Sequence, residues 1–254
     1  MQILFENKVV VVTGGASGIG KACSQLFLQG QAKVIILDLE SKANVVGEMQ
    51  DESLFFFPCD LGKPEEIKAT FQKISQQFPV LDVLINNAGI QTYGRLGELS
   101  EELWDHTLNI NTKAYFLCSK YALPLLSKAT APVIIHVASV KTQFCQKDEL
   151  AYVTSKAAIL GLSRSIASDY APKLRCLTVS PGAVDTPLLK DELAGHPQEE
   201  EILEATKNIH LLKRLATADE IANVIYFLAS EKASFVTGHE YRVDGGIGIQ
   251  IQGI

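Results

Sequence analysis

Tyr152 and Lys156 are four positions apart in a stretch with helical spacing, which places both side chains on one face of a helix. A phenol beside an ammonium can move a proton to or from an alcohol oxygen, because the positive charge favours the phenolate. We therefore expect the pKa of Tyr152 to lie well below its usual value of about 10. Ser139 ends an apolar run upstream, where its hydroxyl could hold the same alcohol oxygen.

A glycine-rich turn, Thr13–Gly20, follows the apolar run Val9–Val12 near the start of the chain. A turn of this kind between a strand and a helix lets backbone N–H groups approach a phosphate, and the helix N-terminus adds the positive end of its dipole. The candidate residues for this contact are Gly14, Ser17, Gly18, Ile19 and Gly20. The spacing differs from the commoner G-x-G-x-x-G pattern, and a plain tight turn could use the same glycines.

Asp38 ends the second apolar run, eighteen residues after Gly20. A carboxylate at this place can accept hydrogen bonds from both hydroxyls of an adenosine ribose and would repel a 2′-phosphate. No arginine or lysine follows Gly14 directly. These features predict a dinucleotide site that takes NAD rather than NADP, although a loop or helix-capping carboxylate is the structural alternative.

Short apolar runs alternate with longer amphipathic stretches along the 254 residues. This alternation predicts an α/β fold, a doubly wound Rossmann-like parallel sheet with helices on both faces. The predicted strands are Lys8–Thr13, Lys33–Asp38, Leu54–Cys59, Leu81–Asn86, Val133–Ala138, Arg175–Ser180 and His239–Val243. The predicted helices include Gly18–Gln29, Pro64–Phe78, Glu101–Leu126, Ala151–Tyr170 and Ala218–Ala229.

One domain spanning residues 1–254 is the economical interpretation, because no linker, repeat or low-complexity tract interrupts the chain. The polar segment Leu188–Asn208 directly follows a strand. We expect a helical lid at about 187–210, with a surface insertion as the alternative. The apolar tail Ile247–Ile254 is expected to pack at a subunit contact or against the sheet edge.

The composition excludes several classes of protein. A net charge of −6 disfavours nucleic acid and anionic membranes as partners. The first eight residues contain no basic stretch followed by an apolar one, so we expect no secretory signal, and no apolar run approaches the ~18 residues of a membrane span. Five cysteines without a C-x-x-C pattern fit a reduced, cytoplasmic compartment. The five histidines form no H-x-x-x-H pair, so we expect no metal site.

Eight motifs in order resemble the short-chain dehydrogenase/reductase family in its compact, "classical" form, and the resemblance runs from about residue 7 to residue 246. The motifs are Thr13–Gly20, Asp60-Leu61, Asn86–Gly89, Asn111, Ser139, Tyr152-x-x-x-Lys156, Pro181-Gly182-x-Val184-x-Thr186 and Val243-Asp244-Gly245-Gly246. The resemblance implies a seven-stranded sheet of order 3-2-1-4-5-6-7 and a homotetramer.

The resemblance also implies roles for single residues. It assigns Asp60 to the adenine, Asn87 to the ribose region of the cofactor and Thr186 to the nicotinamide carboxamide. Asn111 would order a water that links Lys156 to solvent. The remaining expected cofactor contacts are Leu61, Ala88, Gly89, Tyr152, Lys156, Pro181, Gly182 and Val184.

The leading hypothesis is an NAD-dependent oxidoreductase that interconverts a secondary alcohol and a ketone, on a sugar, a sugar acid or another small polar alcohol. The loops Gln91–Gly97 and Val140–Lys147 and the lid should form the pocket. They offer Gln91, Tyr93, Arg95, Lys141, Thr142, Gln143 and Gln146, of which Gln91, Lys141 and Gln146 are the expected substrate contacts. The alternatives are a 3-oxoacyl-(acyl-carrier-protein) reductase and a non-catalytic NAD-binding sensor.

Overall fold

Seven parallel strands form one sheet in the computed structural model, which describes residues 4–249. Their order is β3-β2-β1-β4-β5-β6-β7, which confirms the predicted fold class. The strands are β1 Val9–Thr13, β2 Lys33–Asp38, β3 Leu54–Pro58, β4 Val83–Asn86, β5 Val133–Val137, β6 Arg175–Pro181 and β7 Glu240–Val243. The outermost residues of the predicted 1–254 domain, and residues 250–254 of the apolar tail, lie outside the described part.

The central strands are buried on both faces, as their continuous apolar sequences predict. Every residue of β1 is buried. Its side chains alternate between the two layers, because successive residues of a strand point to opposite faces. Val10 and Val12 belong to one apolar cluster with Phe27, whereas Val9 and Val11 belong to a second cluster with Phe71.

The described residues form nine helices, several of which cover the two faces of the sheet. They are α1 Gly18–Gln29, α2 Ala43–Gly47, α3 Pro64–Gln77, α4 Glu101–Leu108, α5 Ala114–Leu126, α6 Leu150–Tyr170, α7 Pro187–Leu193, α8 Glu199–Asn208 and α9 Ala218–Ala229. Helices α1 and α9 contribute to the first cluster, and α3, α5 and α6 contribute to the second. Among the described residues, no helix is long and apolar enough to cross a membrane.

The predicted helical segment Glu101–Leu126 is helical throughout, but it contains an irregularity that its sequence pattern did not indicate. A π-helical turn, Asn109–Lys113, separates α4 from α5. Within it, the Asn111 amide accepts a hydrogen bond from the Ile90 N–H at 2.8 Å and donates to the Ile90 carbonyl at 2.8 Å. These bonds tie the turn to the loop after β4, and wide turns of this kind occur frequently at functional sites. Apolar periodicity does not reveal a single extra residue per turn.

The segment expected to be a lid contains two helices, α7 and α8, joined by residues 194–198. Helix α7 begins with Pro187, whose fixed φ suits the first helical position. Helix α8 carries three glutamates in its first turn and buries none of its residues. The helical part of the expectation agrees with the structure, and the role of a lid remains a prediction.

We expect Phe27→Ala to lower the free energy of unfolding by about 3–5 kcal/mol, because it empties a buried site in the first cluster. The Phe27 ring is 0% exposed, and its centroid lies 4.7 Å from that of Phe5 and 4.9 Å from that of Tyr226. Urea unfolding measures the change. The control is Phe235→Ala at a fully exposed ring, which should stay within about 0.5 kcal/mol of the original protein. Equal effects of the two changes would contradict this account of the core.

Candidate active site

One cleft of about 660 Å³ opens at the carboxyl ends of the strands. This edge is where ligands bind in open parallel sheets. The cleft brings together most of the residues that the sequence singled out, namely Gly14, Ser17, Gly18, Ile19, Asp38, Asp60, Leu61, Asn87, Ala88, Gly89, Gln91, Ser139, Lys141, Gln146, Tyr152, Lys156, Pro181, Gly182, Val184 and Thr186. Gly20 and Asn111 do not line the cleft, but each lies next to residues that do: Gly20 beside Gly14, and Asn111 beside Gly89.

The glycine turn shapes one end of the cleft. Gly14 and Gly18 have φ angles of +64° and +49°, a region that favours glycine. A Cβ on Gly20 would lie 2.1 Å from the Gly14 carbonyl oxygen, so no side chain fits there. Helix α1 begins at Gly18, and the Ser17 side chain does not cap it. The backbone N–H groups at this helix N-terminus are therefore left for a ligand, as an anion site requires.

Asp38 lies at the rim of the cleft, directly after the buried part of β2. Its carboxylate accepts hydrogen bonds from the Ala16 N–H at 3.1 Å and the Leu39 N–H at 2.9 Å. Two backbone donors thus fix the orientation of the carboxylate beside the glycine turn. Asp38 lines the cleft, and its contact with a ribose remains a prediction.

Thr13 joins the loops that follow β1 and β4. Its buried hydroxyl accepts hydrogen bonds from the N–H groups of Asn87 at 2.9 Å and Ala88 at 3.1 Å. The Asn87 amide donates in return to the Thr13 carbonyl at 3.1 Å and the Gly14 carbonyl at 3.3 Å. Asn87 therefore both lines the cleft and holds the glycine turn in place.

Ser139, Tyr152 and Lys156 form a buried group at the centre of the cleft. The Tyr152 phenol lies near the Ser139 hydroxyl, which acts to lower the pKa of the phenol. The Ser139 hydroxyl also accepts a hydrogen bond from the Lys141 N–H at 3.2 Å. The Lys156 Nζ donates to the Val137 carbonyl at 3.1 Å and lies 5.9 Å from the centre of the Tyr152 ring. A hydroxyl and a phenol are thus in position to hold one substrate oxygen between them.

The protonation of this group differs from the sequence-based expectation. Burial, with smaller contributions from the nearby carboxylates of Glu149 and Glu192, raises the pKa of Tyr152 to about 12, against the opposing effect of the Ser139 hydroxyl. Burial lowers the pKa of Lys156 to about 8. In this structure the Lys156 ammonium donates to a backbone carbonyl. The desolvation that raises the pKa of the Tyr152 phenol outweighs the effect of the Lys156 charge, which would lower that pKa.

Asn111 does not touch Lys156 directly. A Cβ on Gly89 would lie 3.2 Å from both the Asn111 Oδ1 and the Lys156 Nζ, so the two polar atoms approach the same glycine. The Asn111 amide is bonded to Ile90 and, at 3.0 Å, to the Ser155 hydroxyl. Asn111 is therefore held in place near Lys156.

The remaining predicted cofactor contacts lie on two loops of the cleft. Asp60 accepts from the Gly62 N–H at 2.9 Å, which closes the loop after β3. Thr186 precedes α7, and its hydroxyl donates to the Val184 carbonyl at 3.3 Å. In the same loop, the Ala183 N–H donates to Nε2 of the buried His210 at 3.1 Å. His210 thereby joins this loop to the end of the expected lid.

The expected substrate residues divide into two sets. Gln91, Lys141 and Gln146 line the cleft. The other four residues do not line it. Tyr93 donates to Glu192, and Arg95 donates to Asp148. Thr142 and Gln143 both donate to Glu240.

The sequence analysis missed Glu149 and Glu192, which meet Gln91 at the substrate end. Glu149 stands three positions before Tyr152, but nothing in the sequence marks its burial.

No group of three or more His, Cys, Asp or Glu side chains suited to a metal ion occurs within residues 4–249. Cys23, Cys59, Cys118, Cys145 and Cys176 are all free thiols in the structure. Burial raises the pKa of the Cys59 thiol to about 11, so it is protonated at neutral pH even though it lines the cleft.

Comparison with known proteins agrees with this geometry. A family model described as enoyl-(acyl carrier protein) reductase matches residues 14–248. An uncharacterized oxidoreductase of Thermotoga maritima is 38% identical over 95% of this chain and 98% of its own length. The dehydrogenase/reductase SDR family member 6 of Aquarana catesbeiana is 33% identical over 95% of this chain and 98% of its own.

Among solved structures, ligand-free aldohexose dehydrogenase of Thermoplasma acidophilum superimposes with a TM-score of 0.91 at 34% identity, over 98% of this chain and 97% of that one. The sheet order, the cleft at its carboxyl edge and these relatives agree with one another. The chain belongs to the short-chain dehydrogenase/reductase family of oxidoreductases.

Proposed function

We propose that this protein is an NAD-dependent oxidoreductase that interconverts a secondary alcohol and a ketone. The observation that carries the proposal is the placement of Ser139, Tyr152 and Lys156 in the same cleft as the glycine turn. A proton-transfer group and a dinucleotide cradle in one cavity have the parts that hydride transfer from an alcohol needs.

The residues present fit a dinucleotide. The uncapped N-terminus of α1 and the close approach of Gly20 to Gly14 leave room for a pyrophosphate against the backbone. Asp38 would hold the adenosine ribose, with Asp60 and Leu61 toward the adenine. Asn87, Ala88 and Gly89 would lie along the nicotinamide half, and the segment from Pro181 to Thr186 would hold the carboxamide end.

The chain's own residues then handle the alcohol oxygen. Oxidised nicotinamide supplies the hydride acceptor and a positive ring charge when it is bound. The Ser139 hydroxyl and the Tyr152 phenol hold the substrate hydroxyl, and the Tyr152 oxygen takes its proton as the carbonyl forms. A pKa of about 12 makes the phenol a poor base at neutral pH. Positive charge near the ring must lower this pKa for oxidation, and Lys156 still carries most of its charge at pH 7.

Asn111 supports Lys156 in this scheme. The two polar groups approach Gly89 from the same side, where Asn111 would order a water that links Lys156 to solvent. That water would return the proton to bulk after each turnover.

A small polar alcohol fits the substrate end. Gln91, Lys141 and Gln146 offer hydrogen bonds within the cleft, and the solved relative of similar structure is an aldohexose dehydrogenase. We propose a sugar, a sugar acid or a related alcohol as substrate, with residues 187–210 covering it as a lid. Glu192, Leu193 and Thr206 of that segment line the cleft and support this role.

A second candidate is 3-oxoacyl-(acyl-carrier-protein) reduction. A Thermotoga maritima protein of that name is 33% identical over 96% of this chain. Such a reductase would be expected to use NADPH, which the Asp38 carboxylate disfavours. Titration with NADH and NADPH separately distinguishes the two candidates. A non-catalytic sensor would bind the nucleotide and turn over no alcohol, yet it would have no need of the Tyr152–Lys156 arrangement.

We further propose a homotetramer in the cytoplasm. Four of the five free thiols are buried, which suits a reducing compartment. Large apolar side chains are exposed on α5 and α9, at Phe116 and Phe227, and contact between subunits would cover surfaces of this kind.

We expect Tyr152→Phe to lower kcat/KM by about 10²–10⁴-fold, because it removes the group that exchanges the proton. Nucleotide affinity should change by less than about twofold, since the ring remains. Absorbance of NADH measures turnover and calorimetry measures binding. Tyr170→Phe is the matched control, at an exposed tyrosine at the end of the same helix. Undiminished turnover in Tyr152→Phe would remove this phenol from the mechanism.

Asp38→Ala should shift the ratio of the NADH and NADPH dissociation constants toward NADPH by about tenfold or more. The change removes both the acceptor for the ribose hydroxyls and the charge that repels a 2′-phosphate. Fluorescence titration of each nucleotide gives the two constants. Asp169→Ala, at an exposed position on α6, serves as control. An unchanged ratio in Asp38→Ala would place the ribose elsewhere.

A further inference from the structure

Two carboxylates meet at the substrate end of the cleft, although their residues are 43 positions apart in the sequence. The Gln91 Nε2 lies 2.8 Å from the Glu149 Oε1 and 3.1 Å from the Glu192 Oε1. Tyr93 donates its phenol proton to the same Glu192 oxygen. We refer to Glu149 and Glu192 as the carboxylate pair.

The frame around the carboxylate pair is held by backbone bonds. The Gly94 N–H donates to the Asp148 carbonyl at 2.6 Å, and Gly94 and Glu149 form a parallel β-bridge. An ion pair between Arg95 and Asp148 joins the same two loops. The loop that carries Gln91 is therefore fixed to the segment that carries Glu149, and only Glu192 arrives from the proposed lid.

The pair carries more negative charge than its surroundings neutralise. Lys141 lines the cleft and forms an ion pair with Glu149, whose side chain is fully buried and whose Oε2 has no hydrogen-bond partner in the described structure. Glu192 also lines the cleft, and within residues 4–249 it forms no ion pair; its partners are the neutral groups of Gln91 and Tyr93. Lys141 is thus the one ammonium that forms an ion pair with either carboxylate in the described structure, because the other ammonium near Tyr152, that of Lys156, donates to the Val137 carbonyl.

The field of this pair reaches the reacting atom. Both Glu149 and Glu192 contribute to the raised pKa of Tyr152, whose oxygen would hold the substrate hydroxyl. A charged group on the substrate would lie close to this phenol, in a cavity where water screens charge poorly. A second negative charge there would be repelled, whereas a substrate hydroxyl could donate a hydrogen bond to Glu192, the carboxylate of the pair that lines the cleft.

We propose that Glu149 and Glu192 make the substrate end of the cleft select against anions, so that the enzyme acts on neutral, hydroxyl-rich alcohols in preference to hydroxy acids of the same size. The inference rests on the proposed dehydrogenase function and narrows its substrate class. It separates the neutral sugars from the sugar acids that the sequence alone left together.

The test compares matched substrates that differ in one charge. Aldohexoses and the corresponding hexuronic acids form one set, and hydroxy amides and hydroxy acids of equal length form another. We expect the intact enzyme to favour the neutral member by about tenfold or more in kcat/KM, because like charges in an interface are strongly disfavoured. An equal rate with both members, or a preference for the acid, would overturn the proposal.

Glu192→Gln removes one charge and keeps an oxygen that can accept from Tyr93 and Gln91, so the lid contact is preserved. We expect this change to narrow the preference by about tenfold, mainly through a lower KM for the acid. It should also move the rising limb of the pH profile for oxidation to lower pH, since loss of a nearby negative charge favours the phenolate. A merely structural role would change neither quantity.

Asp191→Asn is the matched control, on the same helix and exposed, outside the lining of the cleft. Glu149→Gln provides a second variant if the lid substitution folds poorly. Nucleotide binding and the turnover of neutral alcohols are measured in every variant. These measurements distinguish a failure of the proposed dehydrogenase function from a failure of the proposed role of the carboxylate pair. A protein that oxidises no alcohol at all refutes the dehydrogenase, whereas one that oxidises alcohols with the same charge preference in Glu192→Gln refutes only the carboxylate pair.

Discussion

The hydroxyl of Thr13 lies between the carboxyl ends of β1 and β4 and accepts hydrogen bonds from the backbone N–H groups of Asn87 and Ala88. This is the place where the chain, having wound outward over three strands, crosses to the other half of the sheet. Loops diverge at such a point and open a crevice between them. Because Thr13 and Asn87 hold these loops together by reciprocal bonds, the crevice has a fixed floor on which both halves of a long ligand could rest.

Much of this architecture follows from local sequence. Strands buried on both faces need continuous apolar residues, and runs such as Val34–Leu37 and Val133–Ile135 can hardly form anything else in an alternating pattern. The wide turn at Asn109–Lys113 could not be foreseen in the same way. The Asn111 side chain in this turn bonds the backbone of Ile90, nineteen positions before the turn begins, and the apolar periodicity within one helix carries no information about such a contact.

The same distinction applies to the candidate active site, where the sequence predicts some features and only the folded chain determines the others. Residues at strand ends gather at one edge because parallel strands all finish there, so their order in the chain was enough to bring Asp38, Asn87 and Ser139 to the cleft. The pKa values of Tyr152 and Lys156 depend on burial, and the contacts at the substrate end of the cleft depend on which loops pack together in the folded chain. The carboxylate pair and the direction of Lys156 toward Val137 are contacts of the folded chain, and no spacing rule encodes them.

The extra residue in the π-helical turn sets the rotation of α4 about its own axis relative to α5. If the same residues all formed ordinary α-helix, with none removed, α4 would rotate by about 100° about its axis relative to α5. Asn111 and Lys156 would then lose their common approach to Gly89, while the packing of α5 on the sheet would stay as it is. The wide turn thus lets Asn111 reach Gly89 and Ile90 while α5 keeps its packing on the sheet.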